Sequence, residues 1–202
     1  MKLICITSET VFGEEATVLN ALFEAGMPTL HLRKPSATKD ALKDLLSRVK
    51  DEYHSRIVLH DYFDLVQCFP LKGVHLNGRN PVCPQQKVSS VSQSCHSLES
   101  VRTSAKELNY VFLSPVFDSI SKSGYHHAFT DRELQRGKEE GTIHAKVVAL
   151  GGISPETVPL AAQYGFGGVA VLGALWGNFL TDRDETALLK RFHNLLSITK
   201  KQ

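Results

Sequence analysis

The chain alternates between short apolar runs and longer amphipathic segments. Apolar runs such as residues 147–150 are typical of strands that are buried on both faces. The segments between them carry apolar residues at every third or fourth position, which predicts helices with one buried face. The predicted strands are residues 3–7, 28–33, 56–60, 73–76, 88–94, 110–113, 147–150 and 167–172. The main predicted helices are residues 14–25, 38–49, 61–69, 97–108 and 184–197.

Residues that begin or end helices support these boundaries. Gly26 is predicted to end the first helix, and Thr38 to begin the second. The sequence T-D-R-E at residues 130–133 is a capping box that opens a further short helix. Ser154 is predicted to cap the helix between the last two strands, with Pro155 at its first position.

The strands and helices alternate eight times without a linker or a shift in composition. This alternation predicts an α/β fold, a compact (β/α)8 TIM barrel that forms one domain over residues 1–202. An open, doubly wound sheet is the alternative, and it would carry a glycine-rich phosphate loop after its first strand. Residues 6–13 contain a single glycine, which favours the barrel.

Composition excludes several functional classes. The net charge is +2 and the basic residues are scattered, so a nucleic-acid partner is not expected. No stretch approaches the roughly 20 apolar residues that a membrane helix requires, and the first residues do not resemble a signal peptide. The four cysteines lack metal-ligand spacing, which predicts free thiols in a reducing compartment. We therefore expect a cytoplasmic protein.

Two glycine-containing turns follow the last two predicted strands. Gly151 and Gly152 end the seventh strand, and Gly173 ends the eighth. Barrels of this class bind phosphate with the loops after these strands, where a ligand can approach bare backbone N–H groups. The alternative is that these glycines only form tight turns.

Polar side chains follow the other strands, where the active sites of such barrels lie. Arg33 and Lys34 suit a phosphate, although Arg33 also fits a surface ion pair. Asp61 could ligate Mg²⁺ or cap the helix it precedes. The segment 114–129 is long for a loop, which favours a lid or binding loop over a merely polar loop. Further candidates are His31, His60, His75, Ser94, Ser119, Ser121 and Lys122.

Seven motifs in one order resemble the thiamin phosphate synthase family, which includes the thiazole tautomerase branch. The resemblance covers residues 3–196. The motifs are H-L-R-K-P-S (31–36), L-H-D-Y-F-D-L (59–65), G-V-H-L (73–76), S-C-H-S-L-E-S (94–100), N-Y-V-F-L-S-P-V-F-D-S-I-S-K (109–122), A-L-G-G-I (149–153) and G-V-A-V-L-G-A (168–174). The resemblance implies thiamin biosynthesis, in which hydroxymethylpyrimidine diphosphate is coupled to thiazole phosphate and diphosphate is released.

The resemblance also implies a role for each matching residue. Arg33 and Lys122 would hold the diphosphate, and Asp61 would bind Mg²⁺. His60 and Ser94 would face the pyrimidine diphosphate. His31 and Lys34 are further candidates for substrate binding, and Lys34 could partly compensate for the lysine that Pro35 replaces. The thiazole phosphate would be held by Ser119, Ser121, Gly152, Leu172 and Gly173. The expected partners are small phosphorylated substrates, with a homodimer as a further arrangement.

Departures from the family pattern keep two other functions open. Pro35 stands in place of a lysine, and Asn80 in place of the aspartate that is the second Mg²⁺ ligand. A neutral amide is a poorer ligand for a hard cation than a carboxylate. One alternative is a tautomerase-like isomerase, although Pro115 occupies the position of that branch's catalytic histidine, so that His126, His127 or His31 would have to serve as the base. The other is a non-catalytic binder of thiamin-pathway phosphates.

Overall fold

Eight parallel strands close into a barrel in the computed structural model, which describes residues 1–117 and 129–202. Each strand pairs with the next along the chain, and β1 pairs with β8 to complete the ring. The predicted α/β barrel is therefore confirmed. The strands are β1 (Lys2–Ile6), β2 (Leu30–Leu32), β3 (Ile57–Leu59), β4 (Gly73–Leu76), β5 (Ser90–Cys95), β6 (Tyr110–Leu113), β7 (Val147–Leu150) and β8 (Gly168–Val171).

Helices pack around the strands and bury their apolar faces against them. They are α1 (Glu15–Glu24), α2 (Lys39–Arg48), α3 (Leu98–Ser104), α4 (Asp131–Glu139), α5 (Val158–Gln163), α6 (Gly173–Trp176), α7 (Phe179–Asp182) and α8 (Glu185–Lys200). Two 3-10 helices, Asp51–Arg56 and Phe63–Gln67, flank β3. No helix among the described residues is long and apolar enough to cross a membrane.

Capping residues begin several helices where the sequence predicts. The Thr38 hydroxyl accepts the backbone N–H of Ala41 at the start of α2. Thr130 and Glu133 form the predicted capping box at α4. The prediction for α5 is wrong: this helix begins at Val158 rather than Pro155. The Ser154 hydroxyl does accept the backbone N–H of Glu156 at 3.3 Å, as a capping residue would, and it donates to the Glu156 carboxylate at 2.6 Å, but both contacts lie in a turn that precedes the helix.

The barrel interior is divided into an apolar half and a polar half. Side chains from β1, β6, β7 and β8 form a small apolar cluster: Ile4, Ile6, Tyr110, Phe112, Val148 and Ala170. Buried polar side chains lie on the other strands, with His31 on β2, His75 on β4 and Ser92 on β5. His60 follows β3 directly. The larger hydrophobic core lies outside the barrel, between strands and helices.

Candidate active site

The carboxyl ends of the eight strands meet at one end of the barrel, called here the open end. Arg33 follows β2, Asp61 lies two residues after β3, and Asn80 belongs to the turn after β4. Gly152 and Gly173 lie on the opposite side of the ring, after β7 and β8. Parallel pairing thus brings these predicted site residues to a single rim.

Asp61 is buried and is held by donors on both of its oxygens. The Arg79 guanidinium donates to Oδ1 at 3.0 Å and to Oδ2 at 3.2 Å. The Asn80 side-chain amide donates to Oδ1 at 2.9 Å and to the carbonyl of His60 at 3.0 Å. Mg²⁺ requires oxygen ligands with free lone pairs. As arranged, the residues around Asp61 do not fit this ion, because a cation already occupies the carboxylate and Asn80 presents N–H groups to it.

Arg33 lies at the rim with its side chain partly exposed. Its guanidinium donates to the carboxylate of Glu9 at 2.7 Å, so the surface ion pair weighed as the alternative is present. The Arg33 backbone is fixed to β1, since its N–H donates to the Thr7 hydroxyl at 3.0 Å and its carbonyl accepts from the same hydroxyl. An exposed ion pair contributes little to stability, so the guanidinium can exchange Glu9 for another anion.

Lys34 is buried beneath the loop after β1, contrary to the prediction that it contacts substrate. Its side chain is fully buried, and its ammonium donates to the carbonyls of Ser8 and Thr10 at 2.8 Å each. It also contacts the buried carboxylate of Glu15 at 2.5 Å. The ammonium therefore holds the loop after β1, and it does not compensate for the lysine that Pro35 replaces.

The buried histidines on the polar half of the barrel contact one another and Tyr110. His31 Nδ1 lies 2.8 Å from His60 Nε2, and His31 Nε2 lies 2.6 Å from the Tyr110 hydroxyl. His75 Nδ1 and Nε2 lie 2.8 and 2.9 Å from the hydroxyls of Ser92 and Ser94. Three predicted substrate contacts, His31, His60 and Ser94, thus belong to hydrogen-bonded groups inside the barrel.

Burial keeps these histidines neutral. It lowers the pKa of His75 to about 3. The pKa values of His31 and His60 are also lowered well below 6.5, mainly by burial and then by His75. Burial raises the pKa of the Tyr110 hydroxyl to about 12. At neutral pH the group therefore carries hydrogen-bond donors and acceptors but no charge.

The glycine turns form the other side of the rim. Gly151 and Gly152 have φ angles of +95° and +61°, which favour glycine. A Cβ on Gly151 would lie 2.8 Å from the Cα of Pro115, so a side chain cannot fit there. The Thr157 hydroxyl donates to the carbonyl of Gly152 at 2.9 Å and fixes this turn. These contacts show a tight turn packed against Pro115, and the binding of phosphate by this turn stays a prediction.

The second turn leads directly from β8 into the short helix α6. Leu172 precedes this helix, and its carbonyl accepts the N–H groups of Leu175 and Trp176. The Trp176 indole donates to the carbonyl of Ile6 at 2.7 Å, which ties α6 to the end of β1. Gly173 is thereby held at the rim beside the end of β7.

Some of the predicted site lies outside the described residues. Ser119, Ser121 and Lys122, and also His126 and His127, belong to residues 118–128. Conversely, Arg79 is a rim residue that the sequence reasoning missed. A signal was available, because Asn77-Gly78 marks a turn directly after β4 and the next residue must lie near the end of β3.

A cavity of about 620 Å³ lies at the other end of the barrel. It is lined by residues near the amino ends of strands, among them Lys2, Thr29, Lys72 and Ser90. None of the predicted site residues lines it. Size alone therefore does not identify the site, and the predicted functional groups lie at the open end.

Known proteins with related sequences are thiamin enzymes. Residues 3–175 match the family model described as thiamine monophosphate synthase. A putative thiamine-phosphate synthase of Geobacter sulfurreducens is 26% identical over 167 residues, which covers 78% of each chain. The thiamine-phosphate synthase of Proteus mirabilis is 28% identical over 163 residues, covering 76% of this chain and 75% of the relative.

A similar solved structure extends the match over almost the whole chain. The crystal structure of thiamine phosphate pyrophosphorylase from Bacteroides thetaiotaomicron superposes with a TM-score of 0.89. The two chains are 40% identical, and the match covers 99% of this chain and 98% of the other. Together with the barrel and its rim, these matches confirm the resemblance: the chain belongs to the thiamine monophosphate synthase family.

Proposed function

We propose that this protein is a transferase of thiamin biosynthesis that makes thiamin phosphate. It would join a hydroxymethylpyrimidine diphosphate to a thiazole phosphate and release diphosphate. The observation that carries the proposal is that residues suited to anions lie on two opposite sides of the rim. Arg33 and Arg79 lie on the side of β2 to β4, and Gly152 and Gly173 lie on the side of β7 and β8.

The first side is suited to the diphosphate. As diphosphate leaves, negative charge accumulates on its oxygens, and fixed donors that meet this charge lower the barrier. One edge of the Arg79 guanidinium donates to both carboxylate oxygens of Asp61, so the guanidinium is oriented before substrate binds. Asp61 then acts as a positioning residue for Arg79. Arg33 supplies a second cation, and Lys122 is proposed as a third from its place in the family motif.

The second side is suited to the thiazole phosphate. Backbone N–H groups of Gly152 and Gly173 would donate to its oxygens, and Leu172 would contact the ring. Ser119 and Ser121 are proposed as further donors from the motif. Holding both substrates across the barrel mouth places the thiazole nitrogen next to the carbon that loses diphosphate, so positioning contributes much of the acceleration. His31, His60 and Ser94 would face the pyrimidine.

The family resemblance implies Mg²⁺, which would neutralise diphosphate oxygens when bound. Of the two positions that carry metal ligands in the family, only that of Asp61 holds a carboxylate here. The Arg79 guanidinium donates hydrogen bonds to both oxygens of this carboxylate. We therefore propose that the positive charge of Arg79 takes the place of the metal ion's charge. The family's second metal ligand would help to bind that ion. Turnover by this chain should then depend on Arg79 more than on the concentration of Mg²⁺.

An assay with both phosphorylated substrates tests the proposal. We expect thiamin phosphate and diphosphate as products, and about a 100-fold loss of kcat in Arg79→Gln, since one charged donor is removed from the leaving group. Arg132→Gln on the exposed face of α4 is the matched control and should retain full activity. Absence of product at high enzyme concentration, with and without Mg²⁺, would contradict the proposal.

A tautomerase-like isomerase is the second candidate, and one contact favours it. His96 follows β5, and its Nδ1 lies 2.9 Å from the carbonyl of Ser114, directly before the position where Pro115 replaces the branch's catalytic histidine. An imidazole is therefore available at that part of the rim. This function predicts metal-independent isomerisation of thiazole carboxylate phosphate that is lost in His96→Gln, with no product in the synthase assay.

A further inference from the structure

Three imidazoles converge inside the barrel from three adjacent strands. His31 lies on β2, His60 directly follows β3, and His75 lies on β4. They are 0%, 4% and 0% exposed. One ring nitrogen from each lies within 4.8 Å of the others, which is the spacing of a set that could hold one ion. His31 pairs with Val58, and Val58 with Gly73, so His60 and His75 each lie two residues further along their strands than the level of His31. Because strands tilt in a closed barrel, inward-facing residues with this offset can meet in the interior.

The ring contacts define the movement that an ion would require, which includes a turn of the His60 or His75 ring, because stacked rings cannot both aim in-plane nitrogen lone pairs at one point. His31 Nδ1 and His60 Nε2 are 2.8 Å apart, and the rings of His60 and His75 are stacked with centroids 4.3 Å apart. Tetrahedral coordination with bonds of about 2.0–2.1 Å places ligand nitrogens about 3.4 Å from one another. The first pair would therefore open by roughly half an ångström while His75 approaches by about 1 Å or more.

The nitrogens that face away from the cluster have partners of the kind that orient metal ligands. His31 Nε2 is held by the Tyr110 hydroxyl at 2.6 Å. One ring nitrogen of His75 can remain with Ser92 or Ser94 while the other turns to the cluster. Such outer contacts fix the tautomer and the ring plane of ligating histidines. With an ion bound, the N–H of His31 Nε2 would donate to the Tyr110 oxygen.

The chemistry of the donors selects the class of ion. Neutral imidazoles are ligands for Zn²⁺, Co²⁺, Ni²⁺ and Cu²⁺, whereas Mg²⁺ prefers oxygen. Lowered pKa values keep the three rings deprotonated at neutral pH, so protons do not compete with a metal. Phe112 packs on the rings of His31 and His75, with centroid distances of 4.8 and 4.6 Å, and shields the cluster from the apolar half of the barrel.

We propose that His31, His60 and His75 form a binding site for one borderline divalent cation such as Zn²⁺ or Co²⁺. The three imidazoles supply three ligands, and water supplies the fourth from the side of His60, the histidine nearest the open end. The site differs from the oxygen-rich position of Asp61 and Asn80, both in its ligands and in its ion. It does not rest on the proposed synthase activity, because binding is a property of the protein alone.

Titration of chelator-treated protein with Co²⁺ at pH 7 tests the site, since tetrahedral Co²⁺ has a visible spectrum that reports its ligands. The experiment uses Cys68→Ser/Cys83→Ser protein, which removes the two exposed thiols. We expect one Co²⁺ per chain, displaced by equimolar Zn²⁺ and not by millimolar Mg²⁺. His31→Gln, His60→Gln and His75→Gln should each weaken binding by at least about 100-fold, because each removes one of three ligands. His96→Gln, at the same end of the barrel but outside the cluster, should leave it unchanged.

Two measurements keep the test decisive if a histidine variant fails to fold. Tyr110→Phe removes only the partner of His31 and should weaken binding by about 10-fold. X-ray absorption on the unaltered zinc complex should show three imidazole nitrogens at about 2.0–2.1 Å. Unchanged affinity in folded His31→Gln and His75→Gln protein, or fewer than two imidazoles around the ion, would overturn the proposal. The cluster would then serve only as a hydrogen-bonded network.

Discussion

Single charged residues decide how the rim is organised. Lys34 and Arg79 lie on the same side of the barrel, yet one is buried under the loop after β1 and the other points at Asp61. The sequence alone does not predict which of the two side chains is buried and which contacts Asp61. Lys34 needs a buried carboxylate, and its partner, Glu15, lies on a different element. Asp61 was correctly placed at the rim, but its partner was missed because it comes from the turn after the next strand.

Replacing Lys34 alone should destabilise the fold. Lys34→Met leaves the Glu15 carboxylate buried without its cation, which costs about 3–5 kcal/mol in the free energy of unfolding. The double variant Lys34→Met/Glu15→Leu should recover most of this loss, because no uncompensated charge remains. Urea unfolding followed by circular dichroism gives both values.

A surface pair provides the control for that experiment. Lys50 contacts Glu24 with both side chains about half exposed, so Lys50→Met should change the unfolding free energy little. If Lys34→Met changed the free energy of unfolding as little as Lys50→Met does, the buried ion pair would not be the interaction that holds the loop after β1.

The neutral histidines should make the fold sensitive to acid. The folded-state pKa of His75 is about 3, below the unfolded value near 6.5. Its contribution is therefore complete above pH 6.5 and is lost as the pH falls toward 3. Between pH 6.5 and pH 5 the loss from His75 is roughly 2 kcal/mol.

Urea unfolding of chelator-treated protein between pH 5 and pH 8 measures this effect. His75→Gln should flatten the dependence below pH 6.5, whereas His193→Gln, on the exposed side of α8, should leave it unchanged. An equal slope in the His75 variant and the unaltered protein would contradict the assignment.

At the level of elements, strands were easier to predict than helix starts. The predicted bounds of β4, β6 and β7 are those observed, and β6 and β7 are continuous apolar runs because they are buried on both faces. The start of α5 was wrong, since Pro159 as well as Pro155 suits a first turn and local chemistry does not choose between them. The 3-10 helix Asp51–Arg56 was missed because it lacks a helical apolar period.

Gly73 is required by the spacing between β4 and β5. A Cβ at this position would lie 1.8 Å from the carbonyl oxygen of Ser90, which no side-chain rotation can relieve. We expect Gly73→Ala to lower the free energy of unfolding by at least about 2 kcal/mol. Gly78→Ala, where nothing lies within 4 Å, should have a small effect in the same thermal or urea unfolding experiment. Equal stability of the two variants would show that the strands can separate without cost.

The overall architecture was predictable because it follows from the number of strand–helix repeats. Eight strand–helix repeats can close into a ring, and the absence of an early glycine-rich loop argued against an open sheet. The side chains that fill the interior of the barrel could not be predicted. The division of the interior into an apolar half and a histidine-containing half depends on which residue of each strand faces inward. A three-residue strand such as Leu30–Leu32 has too little alternation to reveal this.

The final helix should be essential for the barrel even though the family match ends at residue 175. Leu188, Phe192 and Leu195 of α8 are at most 1% exposed, and α8 packs against β1 and α1. Exposing these three side chains costs about 5–9 kcal/mol, comparable to the whole stability of a typical domain. Protein that lacks residues 184–202 should therefore bind a hydrophobic dye through its exposed apolar surface and should show no sharp thermal transition. Deletion of residues 201–202 alone should leave the melting temperature unchanged.

The pairing of β1 with β8 has a consequence for synthesis on the ribosome. Lys2 pairs with Gly168 and Cys5 with Val171. One edge of β1 therefore stays uncovered until β8, the last strand of the barrel to be synthesised, is available to pair with it. At about 5–20 residues per second, translation delivers β8 some 8–30 seconds after β1. During that interval the nascent chain presents an apolar strand edge that other chains could join. Slower elongation late in the message should thus increase misassembly, and chaperone binding to the growing chain should reduce it.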